Sequence, residues 1–320
     1  MRILFAGSPA IAIPALETLA ALERRGICEL AGVLTSPDSR QGRRGTLEPA
    51  AIVRAAREFL ADPEAALLKP EKLGQQAREA AAALKPDLLV SFAYGRIFGP
   101  KFLSVFPLGG INIHPSLLPR CRGPSPIQAA ILGRVAQTGV SIQRLALEMD
   151  SGDILAQERI PLCGRETAPE LSRIAAGVAA AMLEELIPRF SGGIPATRPQ
   201  DHAQATYCPL VRREDGRIDW TLAAEDIDAR IRAYDPWPLC AAFHGERELF
   251  ILAGRPFEGN SGGQAAPGTV LGIDKGAGIL VQTGGGGILA VSRLQYQAKK
   301  ALEWRAFLNG AKDFIGARLL

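Results

Sequence analysis

The chain has 320 residues, with 37 Lys+Arg against 33 Asp+Glu, 47% hydrophobic residues and 6% aromatic ones. A hydrophobic fraction near half beside 22% charge excludes extensive disorder and leaves enough apolar surface for about two domains with real cores. The net charge of +4 is too small to argue for nucleic-acid binding as a total, so any such reading must rest on where the charges cluster.

The opening Met1-Arg-Ile-Leu-Phe-Ala-Gly-Ser-Pro9 carries one charge and a short apolar run, so it predicts a first strand over 2–6 rather than a signal peptide. Residues 29–34 predict a second strand, with a helix over 13–24 between the two. Further strands are expected at 88–92, 111–113 and 140–145. Near-continuous apolar strands separated by helices predict βαβ units and a parallel sheet covered on both faces, with ligands near the carboxyl ends of the strands. The Ala/Leu-rich stretch 174–187 is interrupted by Glu184 and Glu185 and is too short to span a bilayer, so no membrane association is expected. From 187 to 207 the chain turns polar and Pro-rich, as a linker would. Beyond it, strand-like runs at 240–253, 269–273, 279–283 and 288–294 alternate with Gly-rich turns. Helices fit 223–232, with Thr221 as N-cap, and 301–308. The C-terminal third therefore reads as a small barrel with attached helices. Five scattered cysteines without a Cys-x-x-Cys pair suggest free thiols in a reducing cytoplasm and no zinc site.

Dinucleotide binding is disfavoured, because the turn Gly7-Ser8-Pro9-Ala10 has one glycine where the fingerprint needs three. Gly284-Gly-Gly-Gly287 reads as a hairpin turn rather than a phosphate cradle, since no Lys-Ser/Thr follows it. The chemically dense stretch is Gly109-Gly-Ile-Asn-Ile-His-Pro-Ser-Leu-Leu-Pro-Arg-Cys-Arg-Gly123. If 111–114 ends a strand, the two-residue period sets Asn112 and His114 on one face, where an amide could donate to an oxyanion and an imidazole could move a proton. On spacing alone, a satisfied strand-end histidine with a turn-capping Asn112 is an equal reading. Asp150, in Met149-Asp-Ser-Gly-Asp153, either orients that imidazole or simply forms the turn. The loop Ser36-Pro-Asp-Ser-Arg-Gln-Gly-Arg-Arg-Gly-Thr46 holds three arginines and no large apolar residue, so it is expected to be solvated and mobile. Its charge suits either a polyanionic substrate or plain solubility.

Taken together, Asn112-Ile-His114, Ser116-Leu-Leu-Pro119, Arg122-Gly123 and Met149-Asp-Ser-Gly-Asp153 resemble the signature of the formyltransferases that use 10-formyltetrahydrofolate. Leu4-Phe-Ala-Gly-Ser-Pro9, Thr35-Ser-Pro-Asp38, Ala93-Tyr-Gly95, Gly216-Arg-Ile-Asp-Trp220 and Arg232-Ala-Tyr-Asp-Pro-Trp-Pro238 are similar to the members that act on methionyl-tRNA. The resemblance implies a Rossmann-like catalytic domain over 1–188, a linker over 189–207 and an OB-like barrel for tRNA docking over 208–320. It implies formyl transfer to the methionine amine of initiator methionyl-tRNA, with 10-formyltetrahydrofolate as donor; that chemistry needs no metal, and a cytoplasmic monomer is the default expectation. By position, Asn112, His114 and Asp150 become the catalytic set. Ser116, Leu117, Leu118 and Pro119 become the folate-contacting segment, and Arg40, Arg43 and Arg44 the tRNA contacts. Arg120 and Arg122 are expected to join that loop in a local basic mouth. Gly45-Thr46 and Glu48 stand where the family often has lysines, which centres the expected phosphate grip on Arg43 and Arg44. The rival readings are a formyltransferase for nucleotide-linked amino sugars, a folate-dependent hydrolase and a non-enzymatic RNA-binding module.

Overall fold

Parallel strands buried on both faces must be apolar almost throughout, and Ile3, Leu4, Phe5 and Ala6 of the first strand have no exposed surface. The computed structural model describes residues 1–41, 45–259 and 265–320. Its chain divides into two compact units. The first comprises Met1–Pro126, Gln137–Pro161 and Leu171–Pro209, and the second Ile127–Ala136, Leu162–Glu170 and Leu210–Leu320.

Up to residue 186 the elements run β1 (Arg2–Gly7), α1 (Ile13–Arg24), β2 (Glu29–Leu34), a short hairpin of β3 (Ser39–Gln41) and β4 (Thr46–Glu48), α2 (Ile52–Phe59), α3 (Pro63–Ala66) and β5 (Leu67–Leu68). They continue with α4 (Gln75–Ala83), β6 (Leu88–Phe92), α5 (Pro100–Leu103), β7 (Gly110–His114), α6 (Pro126–Leu132), β8 (Gln137–Arg144), β9 (Ile154–Pro161) and α7 (Ala168–Leu186). Seven strands form one sheet in the order β5-β2-β1-β6-β7-β8-β9. The first five are mutually parallel, whereas β8 runs antiparallel to both of its neighbours, β7 and β9. This is the Rossmann-like, mostly parallel sheet expected from the sequence, with an antiparallel extension. The strand expected at 140–145 is longer, and β9 was not legible because Gln157, Glu158 and Arg159 break its apolar run on the sheet edge. Gly7 serves packing: a Cβ there would lie 2.9 Å from Ala12 Cβ and from the Phe92 carbonyl. The first turn therefore needs glycine for close approach of the helix. Residues 189–207, expected as a linker, lie within the first unit, with Phe190 and Gln200 buried.

In the second unit, α8 (Ala224–Ala233) precedes β10 (Cys240–His244), β11 (Arg247–Pro256), β12 (Val270–Asp274), β13 (Gly278–Gln282), β14 (Ile288–Tyr296), β15 (Leu302–Glu303) and α9 (Trp304–Asn309). The antiparallel order is β10-β11-β14-β13-β12, with β15 beside β14. Residues 317–320 then join the two edges. Val270 N donates to Ala317 O and Leu319 N to Gly268 O, while Phe243 and Leu320 exchange both main-chain bonds. The sheet is thereby closed into a barrel, which removes its edges. Its interior includes Ala242, Leu249, Ile251, Ile279, Val281, Leu289, Val291, Phe314 and Leu319, all essentially buried. Because Leu319 seals the closure, Leu319→Ala is expected to cost about 2–5 kcal/mol, the usual range for emptying a buried leucine site. The check is a lower urea midpoint of the barrel's unfolding transition.

Three local expectations are corrected. The run 240–253 is two strands joined by a turn at Gly245, whose φ is 59°. The last helix begins at Trp304 rather than 301, because Leu302 and Glu303 pair with β14. Thr221 does not cap α8: its hydroxyl donates to Asp219, and Ala223 takes the cap position without a side-chain bond. No helix among the described residues is long and apolar enough to cross a membrane.

Candidate active site

Strand β7 carries Asn112 and His114 on one face of the sheet, as the two-residue period requires. Across the antiparallel pairing, Asn112 stands opposite Gln143 and His114 opposite Ser141. The turn after β8 folds back over this pair. Gly152 makes that possible, because a Cβ there would sit 1.9 Å from the Arg144 carbonyl oxygen. Two residues earlier, Asp150 adopts a left-handed φ of 53°, a conformation that aspartate tolerates better than most residues.

The result is a polar cluster centred on the Asp150 carboxylate. Its Oδ1 accepts from Asn112 Nδ2 at 3.3 Å and Gln143 Nε2 at 2.9 Å. Its Oδ2 accepts from the Gly123 amide at 2.9 Å and lies 3.5 Å from His114 Nδ1. The other ring nitrogen, Nε2, is 2.8 Å from the Cys121 carbonyl oxygen. His114 is buried, and each of its nitrogens faces an oxygen that can only accept. A neutral imidazole has one N–H and can donate toward only one of them. Asn112 is half-buried, and among the described residues only Asp150 accepts from its amide, which leaves a second N–H for a bound group.

The loop after β7 is held from beneath. Ser116 is buried, its hydroxyl donating to Arg120 O at 2.6 Å and its carbonyl accepting from Ser141 Oγ at 2.7 Å. The Leu118 amide donates to Ser141 Oγ, and the Leu118 carbonyl accepts from Gln157 Nε2. Gly139 lets the loop lie against the sheet, since a Cβ there would come within 2.4 Å of Leu117. Within the segment expected to contact folate, Ser116 and Leu118 are thus turned inward, and Leu117 and Pro119 keep partial exposure.

Arg40 is exposed on β3 and donates to Gly45 O. Arg43 and Arg44 lie outside the described residues. Arg120 is exposed, but Arg122, read from the sequence as part of a basic mouth, is only 2% exposed. It contributes no surface charge. Its guanidinium bonds Gln200 Oε1, Tyr207 OH and His202 Nδ1 instead. Beside it the Cys208 thiol, pushed up by burial and by neighbours that include Asp150, donates to the Arg122 carbonyl. Gln143 and Gln200 had no signal in the sequence. Only the register of β8 and the path of 198–207 bring them to Asp150.

In this sheet an amide, an imidazole and a carboxylate are gathered at the carboxyl end of a central strand, a set of groups able to donate to an oxyanion and to carry a proton. Residues 1–187 match the formyl transferase family model and residues 210–312 that of the formyl transferase C-terminal domain. The chain is 46% identical to the methionyl-tRNA formyltransferase of Treponema denticola, over 98% of each chain. Two solved structures are similar in fold. One is HypX from Aquifex aeolicus in complex with tetrahydrofolic acid, with TM-score 0.65 and 19% identity over 98% of this chain. This chain spans about half of that protein's length, 48%. The other is methionyl-tRNA formyltransferase from Clostridium thermocellum, with TM-score 0.55 and 18% identity, covering 81% of this chain and 94% of that one. The class is that of formyl transferases. Within it, the chain belongs to the methionyl-tRNA formyltransferase family.

Proposed function

We propose that this chain transfers a formyl group from 10-formyltetrahydrofolate to the α-amine of methionine on initiator methionyl-tRNA, as a cytoplasmic monomer. The observation that carries the reading is the convergence of Asn112, His114 and Asp150 on one polar cluster, from positions up to 38 residues apart in sequence. When bound, the folate supplies the formyl group. Amine attack on a formyl carbon places negative charge on the formyl oxygen and moves one proton from the amine to the departing nitrogen. The free N–H of Asn112 and the His114 imidazolium are the donors that stabilise this charge. Asp150 orients His114 and shares in the proton traffic. Leu117 and Pro119, the part-exposed residues of the 116–119 segment, face the folate, with Ser116 and Leu118 supporting them. Arg40, Arg43 and Arg44 meet the phosphates of the tRNA acceptor end.

The test offers the protein 10-formyltetrahydrofolate with either methionyl initiator tRNA or nucleotide-linked amino sugars, and follows formyl incorporation. Transfer to the tRNA alone is expected. Transfer to a sugar alone, or to neither, would overturn the reading.

A further inference from the structure

Arg122 is a buried cation without a carboxylate partner among the described residues; its neighbours are an amide, a phenol and an imidazole. Burying a charge in this way is costly unless its donors are all used. A guanidinium can only donate, and that fixes the direction of every bond beyond it. Arg122 Nη2 and Nε donate to Gln200 Oε1 at 2.7 and 3.2 Å. The Gln200 amide cannot be turned over, since its NH2 would then face the guanidinium. Its Nε2 accordingly faces three oxygens: Gly152 O at 2.6 Å, Asp150 O at 2.9 Å and Gln143 Oε1 at 3.1 Å. With Gln143 Oε1 accepting, Gln143 Nε2 must donate, and it does so to Asp150 Oδ1 at 2.9 Å.

We propose that Gln200, locked in orientation by the buried Arg122, is a positioning residue that sets Asp150 for the reaction, directly through its backbone and through Gln143 to its carboxylate. The relay does two things. Two carbonyls of the 150–152 turn are pinned to one amide, which stabilises the left-handed backbone at Asp150. A donor is also delivered to the carboxylate, on the oxygen that Asn112 shares. No group in the relay is assigned a contact with substrate. Its effect reaches the reaction only through Asp150, so the inference rests on the proposed role of that residue.

Two variants and one double variant test it, in the full-length protein with formyl transfer to methionyl-tRNA as readout. Gln200→Glu keeps the bond to Arg122 but turns an oxygen toward three acceptors. Gln143→Met removes the donor to Asp150 with little change in volume. Each is expected to unfold cooperatively and to lose about 10- to 100-fold in kcat, the range for outer partners of a functional group, with KM for both substrates little changed. In an Asp150→Asn background, Gln200→Glu should lower kcat no further, within about twofold. Wild-type kcat in folded Gln143→Met or Gln200→Glu would overturn the relay, as would a loss confined to KM or a fully additive loss in the double variant. Should Asp150→Asn itself turn over normally, the catalytic reading fails first, and the relay with it. A crippled Asp150→Asn beside normal Gln143→Met and Gln200→Glu overturns the relay alone.

Discussion

His114→Ala is expected to lower kcat for formyl transfer about 100- to 10,000-fold, the span that a positioned proton-transfer group contributes, while the protein still folds. The size of the loss follows from what would be missing. The buried imidazole bridges the Asp150 carboxylate and the Cys121 carbonyl, and it is the only histidine in the sequence before residue 202. Water entering the vacated site cannot hold a positive charge against the developing oxyanion. Folding should survive because Asp150 keeps three other donors, from Gly123, Gln143 and Asn112, and is not left as a buried charge without partners. Single-turnover measurement at saturating concentrations of both substrates separates the chemical step from binding. Turnover within a few-fold of the parent protein would remove His114 from the catalytic set.

The parallel half of the first unit was legible because its strands are buried on both faces, which leaves the apolar runs Ile3–Ala6 and Leu88–Val90 in the sequence. The same logic hides β9, an edge strand with a polar outer face, and hides the antiparallel sense of β8, which no local pattern encodes. For the site, the two-residue period was enough to put Asn112 beside His114. It could not say that Asp150 would turn back onto them, since that depends on the close approach of Gly152 to Arg144. Arg122 shows the limit of charge reasoning: beside Arg120 in the sequence, it points the opposite way, into a polar interior built by residues some 80 positions later. The barrel's strands were foreseen, whereas its closure was not, because residues 317–320 are too few to register as a strand.

Asp150→Asn should reduce kcat about as severely as loss of the imidazole, again about 100- to 10,000-fold, and should also lower stability by about 1–3 kcal/mol through unpaired buried donors. Asparagine is the cleaner replacement: it tolerates the left-handed φ of 53° that would strain alanine, so backbone cost does not confound the result. What it cannot do is accept on both sides. With its oxygen toward Asn112 and Gln143, its NH2 faces the Gly123 N–H and the His114 ring; turned over, its NH2 faces two side-chain amides instead. Either way a donor opposes a donor, and His114 loses its carboxylate partner. The stability loss and the rate loss have separate origins, so they should respond differently to a second change. Replacing Asn112 by Leu in the Asp150→Asn background removes one of the two donors opposed in the turned-over orientation and, by favouring that orientation, should recover part of the stability, read as a higher urea midpoint. It should recover none of the turnover, because Asn112 is itself an oxyanion donor. Restored turnover in that double variant would mean that Asp150 acts only by packing the turn, and its place in the proton traffic would be lost.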